Sequence, residues 1–316
     1  MQSPWNNLPK PFFILAPMDG VTDTVFRHVV DKASPPDLYF TEFTNTDGYC
    51  SPKGRHATHS RLLFTPEEQP HLIAQIWGTN PAHFAEMAKG LREMGYAGID
   101  INMGCPAKDV TKKGGGSALI QTPELAAEII AATKTAGLPV SVKTRIGYKT
   151  PNTEEWISFL LKQDIVALTV HARTMKEMSK VPAHWEEVAK AVKLRDKIAP
   201  QTLIIGNGDV ADREEGLRRI AETGADGIMI GRGVFTNVFC FAEDATEHSK
   251  AEFFTLLNMH LDLWEKTWEG EANYHALKRF FKIYIKGFAG ASELREQLMN
   301  TNVISEAREL IDRYVA

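Results

Sequence analysis

The sequence predicts an α/β protein: a (β/α)₈ TIM barrel followed by a small all-helical C-terminal domain. Eight short apolar runs rich in β-branched and aromatic residues alternate with segments of helical spacing. The runs are almost continuously apolar, which suits a parallel sheet covered on its outside rather than a sheet with one wet face. The alternation stops after Phe235, and from Ala251 only helical periodicity remains.

The strand candidates are 12–16, 38–43, 72–76, 98–102, 140–144, 165–170, 202–206 and 227–230. Helical segments between them include 82–94, 123–135 and 213–222, closed by Gly95, Gly137 and Gly224 at positions where a left-handed C-cap is wanted. In the tail, Phe254, Leu257, Leu261 and Trp264 repeat at threes and fours, as do Leu277, Phe280, Phe281, Tyr284 and Phe288. The stretch 243–250 is polar and lacks Pro and Gly, so the boundary rests on the change of period. The expected division is a catalytic barrel over 1–242 and a helical domain over 243–316. No internal repeat and no low-complexity segment interrupts either part.

A chain of 316 residues is long enough for one large barrel with an appendage or for two ordinary domains. With 24% charged and 43% hydrophobic residues it has ample core material, which excludes a disordered chain. Lys and Arg total 36 against 40 acids, a net charge of -4, so the surface is not uniformly cationic. A local basic face stays open. Cys50, Cys105 and Cys240 are far apart and form no CxxC pair, which leaves no disulfide framework or zinc ribbon and no metal site, and fits a reducing cytoplasm. Residues 1–10 carry no cationic start to a long apolar stretch, and the run 12–16 is too short to span a bilayer. The expectation is a cytoplasmic chain with no membrane partner.

In such barrels the loops after the strands carry the site. Here they hold Pro17-Met18-Asp19-Gly20, Gln75, Asn102-Met103-Gly104-Cys105-Pro106, Lys143-Thr144-Arg145, His171-Ala172-Arg173, Asn207-Gly208-Asp209 and Gly231-Arg232-Gly233. Glycines after the last two strands let backbone amides approach an anion, and Arg232 forks onto phosphate oxygens, so these loops read as a phosphate cradle. For either loop alone, a plain connecting turn explains as much. Lys143 and His171 end buried strands and point to the mouth. A lysine there suits a flavin, whose reduced ring gathers negative charge, or a pyridoxal aldehyde; His171 also fits a structural role. Gln75 suits a flavin edge or loop backbone. Cys105 sits between Gly104 and Pro106 in a tight loop where no core filler is needed, and its thiol serves as a nucleophile or as a general acid.

Taken together and in order, Leu15-Ala16-Pro17-Met18-Asp19-Gly20, Asp100-Ile101-Asn102-Met103-Gly104-Cys105-Pro106, Gly116-Ser117-Ala118-Leu119, Lys143-Thr144-Arg145-Ile146-Gly147, His171-Ala172-Arg173-Thr174, Gly206-Asn207-Gly208-Asp209 and Gly227-Ile228-Met229-Ile230-Gly231-Arg232-Gly233 resemble the dihydrouridine synthases, flavoenzymes that reduce uridine in RNA. The resemblance covers nearly the full chain. It implies FMN as cofactor, NADPH as reductant, and a C-terminal helical domain that helps hold tRNA. It further implies that Pro17, Met18, Asp19, Gln75, Lys143 and His171 contact the flavin. Asn207, Gly208, Asp209, Gly231 and Arg232 would hold its phosphate end, Asn102 would orient the base, and Cys105 would donate a proton to C5 as hydride reaches C6. One departure stands out: after Thr174 the family often has an aromatic residue and a glycine before a tryptophan. Here 175–184 lacks the glycine while Trp185 is retained.

An RNA substrate needs phosphate contacts, and the cations are placed for them. Lys108, Lys112, Lys113, Arg145, Lys149, Arg173, Lys176 and Lys180 all follow strands four to six. In the tail Lys278, Arg279, Lys282 and Lys286 occur without an acid among them, and a spacing of four puts three of them on one face of a helix. A solvated helix face is the plainer reading of that stripe. A monomer is expected, since a large RNA must reach an open mouth. Two other readings stay open: an FMN barrel that reduces a small molecule of the dihydroorotate or enoate type, and a non-catalytic RNA-binding barrel.

Overall fold

The computed structural model describes residues 3–244, 246–270 and 272–315. Nine strands form one parallel sheet: β1 (Phe12–Leu15), β2 (Leu38–Phe40), β3 (Thr44–Asn45), β4 (Leu72–Trp77), β5 (Gly98–Met103), β6 (Val140–Arg145), β7 (Ala167–His171), β8 (Leu203–Asn207) and β9 (Gly227–Ile230). β1 pairs with both β2 and β9, and β2 pairs with β4, so eight strands close into a ring. The two-residue β3 lies outside it, extending the edge of β4 at Ile76 and Trp77. The barrel is the one the sequence predicts; β3 is an addition.

Strand register explains how the interior is filled. Alternate residues of each strand face inward, and cross-strand pairing levels them: Gln75 with Asp100 and Ser141, then Asn102 with Lys143, Thr169 and Ile205, then Arg145 with His171, Asn207 and Met229. One arc of the interior is apolar. Phe12, Ile14, Ala16, Leu38, Phe40, Ile73, Ala167, Ile205 and Met229 pack there with Trp5. The opposite arc, on β4 to β7, is polar, with Gln75, Asp100, Asn102, Ser141, Arg145 and Thr169 all buried. Burying polar groups is tolerated only when they are paired, so this arc must carry a hydrogen-bond network.

The chain divides into two compact units, one of Met1–Thr24 with Pro36–Gly231 and one of Val25–Pro35 with Arg232–Ala316. The second is helical. Its longest helix, Lys250–Trp268, opens with a capping box between Ser249 and Glu252 and buries Phe253, Phe254, Leu257, Leu261 and Trp264. Within this unit Phe26 packs tilted against Phe280 at 4.8 Å and stacks on Phe235 at 6.3 Å. Helices Ala291–Met299 and Ile304–Val315 complete it. Among the described residues no helix is long and apolar enough to cross a membrane.

His260 sits in this aromatic core. Its Nδ1 is 2.7 Å from the Tyr284 hydroxyl, its Nε2 has no hydrogen-bond partner among the described residues, and burial lowers its pKa from 6.5 to about 3. The folded chain therefore holds a neutral imidazole that the unfolded chain protonates below about pH 6.5. Its contribution is complete above that pH and is lost progressively toward pH 3, by up to about 1.4 kcal/mol per unit. Thermal melts of the wild type and His260→Phe at pH 7 and pH 5 check this: the wild type is expected to lose more on acidification than the variant.

Candidate active site

The polar arc of the barrel leads to its mouth, and the Cys105 loop is the point where it arrives. Asn102, the last inward residue of β5, accepts at Oδ1 from the backbone N–H of Gly104 (3.1 Å) and of Cys105 (2.9 Å). Its Nδ2 donates to Gln75 Oε1 at 2.9 Å. Arg145 Nε donates to the Gly104 carbonyl at 2.8 Å, and Ser117 donates to the Cys105 carbonyl through both N–H (3.1 Å) and hydroxyl (3.0 Å). Gly116 makes the last of these possible: at φ +58°, a Cβ there would lie 2.7 Å from the Cys105 carbonyl oxygen. The loop is thus fixed from three sides while Cys105 itself stays partly exposed.

Burial raises the Cys105 pKa above its usual value, against the opposing pull of the Ala107 N–H and the positive charges of Arg145 and Lys143. The sulfur is a protonated thiol at neutral pH, a state suited to donating a proton and poorly suited to nucleophilic attack. Lys143 lies one strand away, level with Asn102. Its pKa falls to about 8, first through desolvation and then through Arg145, with Asp100 opposing. Among the described residues no hydrogen bond holds its ammonium. A desolvated cation in that position favours an electron-rich or anionic partner.

The other expected residues divide into those at the mouth and those tied down. Pro17 and Met18 are partly exposed in the turn after β1, closed by Thr22, whose hydroxyl accepts from the Met18 N–H at 2.9 Å. Met18 Sδ lies near Gly231, so the turns after β1 and β9 are neighbours. Asp19 is exposed and pairs with Arg61, which also reaches Glu42 at 3.4 Å; Glu42 in turn accepts from the Gly20 N–H at 2.5 Å. Asn207 ties β8 to β9 by donating to the Met229 carbonyl at 2.8 Å. Gly208 has φ +131°, a conformation that L side chains rarely adopt, and a Cβ there would also lie 3.1 Å from the Ala183 Cβ. Asp209 holds a left-handed backbone at φ 54°, fixed by ion pairing to Arg173 and by the Ala183 N–H at 3.1 Å. Arg232 is exposed and caps the short helix Gly233–Thr236 at the start of the helical unit.

Two arginines expected to face RNA are buried. Arg145 donates to the carbonyls of Gly104, Thr174 and Met178, and Arg173 to Val181 and Asp209. Exposed lysines surround them: Lys108, Lys112, Lys113, Lys149, Lys176 and Lys180 all lie on loops after β5, β6 and β7. The segment 175–184, which lacks the expected glycine, makes local hydrogen bonds of its own. Met178 takes the left-handed conformation at φ 54°, and Glu177 accepts from the Thr174 N–H (2.8 Å) and contacts the His184 ring (3.0 Å). Trp185 closes the segment against Gly206, where any Cβ would meet its ring at 2.5 Å.

In the helical unit the cations do not share one helix face. Residues 274–284 form a helix, a 3-10 turn and a second helix, which ends before Lys286. Lys278 is buried and donates to the Met299 carbonyl at 2.8 Å, and Lys286 donates to the Thr236 carbonyl. Arg279 and Lys282 are exposed, with the Lys282 ammonium 5.2 Å from the Phe235 ring centroid.

Asp100, Ser141, Glu42, Arg61 and Ser117 all organise the mouth without having stood out in the sequence. Asp100 and Ser117 lie in motifs already noted; Ser141 is visible only once cross-strand register is known, and Glu42 and Arg61 only once the loops are placed. No group of three or more His, Cys, Asp or Glu among the described residues is arranged to hold a metal.

A family model described as dihydrouridine synthase matches residues 14–315. A Staphylococcus epidermidis protein named "Probable tRNA-dihydrouridine synthase" is 56% identical over 314 residues, 99% of this chain and 96% of that protein. A Bacillus subtilis protein named "Probable tRNA-dihydrouridine synthase 2" is 53% identical over 98% of this chain and 96% of its own length. Among solved structures, a morphinone reductase mutant in complex with tetrahydroNAD aligns with a TM-score of 0.51 at 12% identity, covering 75% of this chain and 87% of that one, a likeness of fold alone.

Proposed function

The chain belongs to the dihydrouridine synthase family, and from that premise we propose that it reduces uridine to 5,6-dihydrouridine in tRNA, with FMN as cofactor and NADPH as reductant. The observation that carries this reading is the partly exposed, protonated Cys105 thiol held beside the desolvated Lys143. The donor set suits FMN: a cation that has no hydrogen-bond partner among the described residues for the ring, and glycine-containing turns after β8 and β9 for the phosphate. FMN, when bound, supplies the hydride that reaches C6 of the uracil.

The chain's own residues do the rest. Cys105 gives its proton to C5, Asn102 orients the base, and Lys143 offers positive charge to the reduced ring. Pro17, Met18, Asp19 and His171 line the flavin, with Gln75 supporting the site from the buried layer below the mouth, while Asn207, Gly208, Asp209, Gly231 and Arg232 hold its phosphate end. Arg145 and Arg173 act from within, by fixing the loops that carry Cys105 and Asp209. The target base must leave its stack, so the rest of the RNA needs a hold elsewhere. The exposed lysines after β5 to β7 and the exposed Arg279 and Lys282 of the helical domain provide it. Lys278 and Lys286 support that domain through their carbonyl partners. The enzyme works as a cytoplasmic monomer.

Charge reversal tests the RNA assignment. Lys112→Glu with Lys176→Glu, and separately Arg279→Glu with Lys282→Glu, are expected to weaken tRNA binding and to flatten its salt dependence by about one to two units of slope, leaving FMN content unchanged. Filter binding across a salt series reads both. For the reaction itself, the chain is reduced with NADPH under anaerobic conditions and offered unmodified tRNA, orotate or a small enone. Flavin reoxidation by tRNA alone supports the reading. Reoxidation by orotate or the enone but not by tRNA assigns the chain to small-molecule reduction.

A further inference from the structure

The hydrogen bonds of the polar arc run in one direction. Ser141 Oγ donates to Asp100 Oδ1 at 2.6 Å, and Gln75 Nε2 donates to Asp100 Oδ2 at 2.7 Å. Gln75 Oε1 then accepts from Asn102 Nδ2, and Asn102 Oδ1 accepts from the N–H groups of Gly104 and Cys105. Asp100 and Gln75 are 0% exposed, Ser141 1% and Asn102 6%. A primary amide is nearly symmetric in shape and can turn over, exchanging donor for acceptor. Here neither amide is at liberty to do so. Burial raises the Asp100 pKa to about 6, so above neutral pH its carboxylate is ionised and only accepts, and two backbone N–H groups at the other end only donate. Reversing either amide would set donor against donor or acceptor against acceptor inside a dry barrel.

We propose that Asp100 is a positioning residue for proton donation: by accepting from Gln75 it anchors the buried end of the chain, which, with the loop N–H groups at the other end, holds the Gln75 and Asn102 amides in place and, through Asn102, seats the Cys105 backbone. Asp100 lies below the mouth and reaches Cys105 through this chain of contacts; its charge also acts on Lys143, an effect that Asp100→Asn removes as fully as Asp100→Ala does. The proposal rests on the functional reading above for its consequence in catalysis, and on the hydrogen bonds alone for its consequence at Cys105.

The test is alkylation of the purified full-length protein by iodoacetamide, followed at the Cys105 peptide by mass. Cys50, partly exposed on the helix Thr46–Cys50 of the same unit, serves as an internal reference. Asp100→Ala removes the acceptor that anchors Gln75 and leaves Asn102 held from the loop side alone, and Cys105 should react about threefold faster or more while Cys50 is unchanged. Asp100→Asn should stay close to wild type. Its Oδ1 keeps Gln75 while its Nδ2 turns to Ser141 Oγ, a hydroxyl that accepts as readily as it donates. Should Asp100→Ala not fold, Asp100→Ser makes the same comparison, since one shorter hydroxyl cannot hold both Ser141 and Gln75 as the two carboxylate oxygens do. The proposal is overturned if Cys105 in Asp100→Ala or Asp100→Ser reacts at the wild-type rate. It is also overturned if Cys50 accelerates in parallel, or if Asp100→Asn behaves like Asp100→Ala. In catalysis, Asp100→Ala should slow flavin reoxidation by tRNA at least tenfold and leave reduction by NADPH within about twofold. If wild-type flavin is not reoxidised by tRNA, the function fails while the alkylation comparison still decides the role of Asp100.

Discussion

Cys105→Ala is expected to slow tRNA-driven flavin reoxidation by about 10²- to 10⁴-fold, the range that general acid catalysis supplies. FMN content, reduction by NADPH and tRNA affinity should change little, because the loop is held through its backbone and not through the sulfur. The sign of the pH dependence separates an acid from a nucleophile. Burial raises the thiol pKa, so the proton is present at neutral pH and is lost as pH rises through that raised value. Single-turnover reoxidation should therefore fall at alkaline pH; a nucleophilic thiolate would make it rise. Cys105→Ser should recover little, a hydroxyl being a far weaker acid.

Lys143→Met is the second large effect. Removing a single preorganised charge from a site where negative charge develops costs about 10²- to 10³-fold in rate, so reduction of bound FMN by NADPH should slow by that order. Desolvation and Arg145 bring the Lys143 pKa down to about 8, so the charge is fully present well below pH 8 and lost above it. FMN affinity of the apoprotein, measured by quenching of flavin fluorescence, should fall up to about tenfold between pH 7 and pH 9. In Lys143→Met that pH dependence should disappear. An unchanged dependence would place the titrating group elsewhere.

Much of the barrel is legible in the sequence because each strand is short, apolar and bounded by a turn. The expected run 98–102 is β5 within one residue, and 227–230 is β9 without change. The second strand ends at Phe40 rather than residue 43, and the two-residue β3 leaves no periodicity to detect. The helical unit also takes in Val25–Pro35, which no change of period near residue 242 signals. The mouth residues Cys105 and Lys143 are legible from their place after a strand. A residue such as Ser141 is not, since it looks like an ordinary strand residue until register sets it beside Asp100. Charge is the least legible property. Arg145, Arg173 and Lys278 resemble surface cations in the sequence, but their donors go to carbonyls or, for Arg173, to an ion pair with Asp209. The spacing of Lys278, Lys282 and Lys286 presumes a continuous helix, and the chain breaks it at the 3-10 turn 278–280.

The central claim, uridine reduction with Cys105 as the proton donor, is tested most directly by mapping dihydrouridine in unmodified tRNA after incubation with FMN-loaded protein and NADPH. Wild type should form dihydrouridine at defined positions, and Cys105→Ala, equally loaded with FMN and equally reduced by NADPH, should form almost none. Dihydrouridine formation by Cys105→Ala at the wild-type rate, or its absence with the flavin-loaded wild type, would contradict the account.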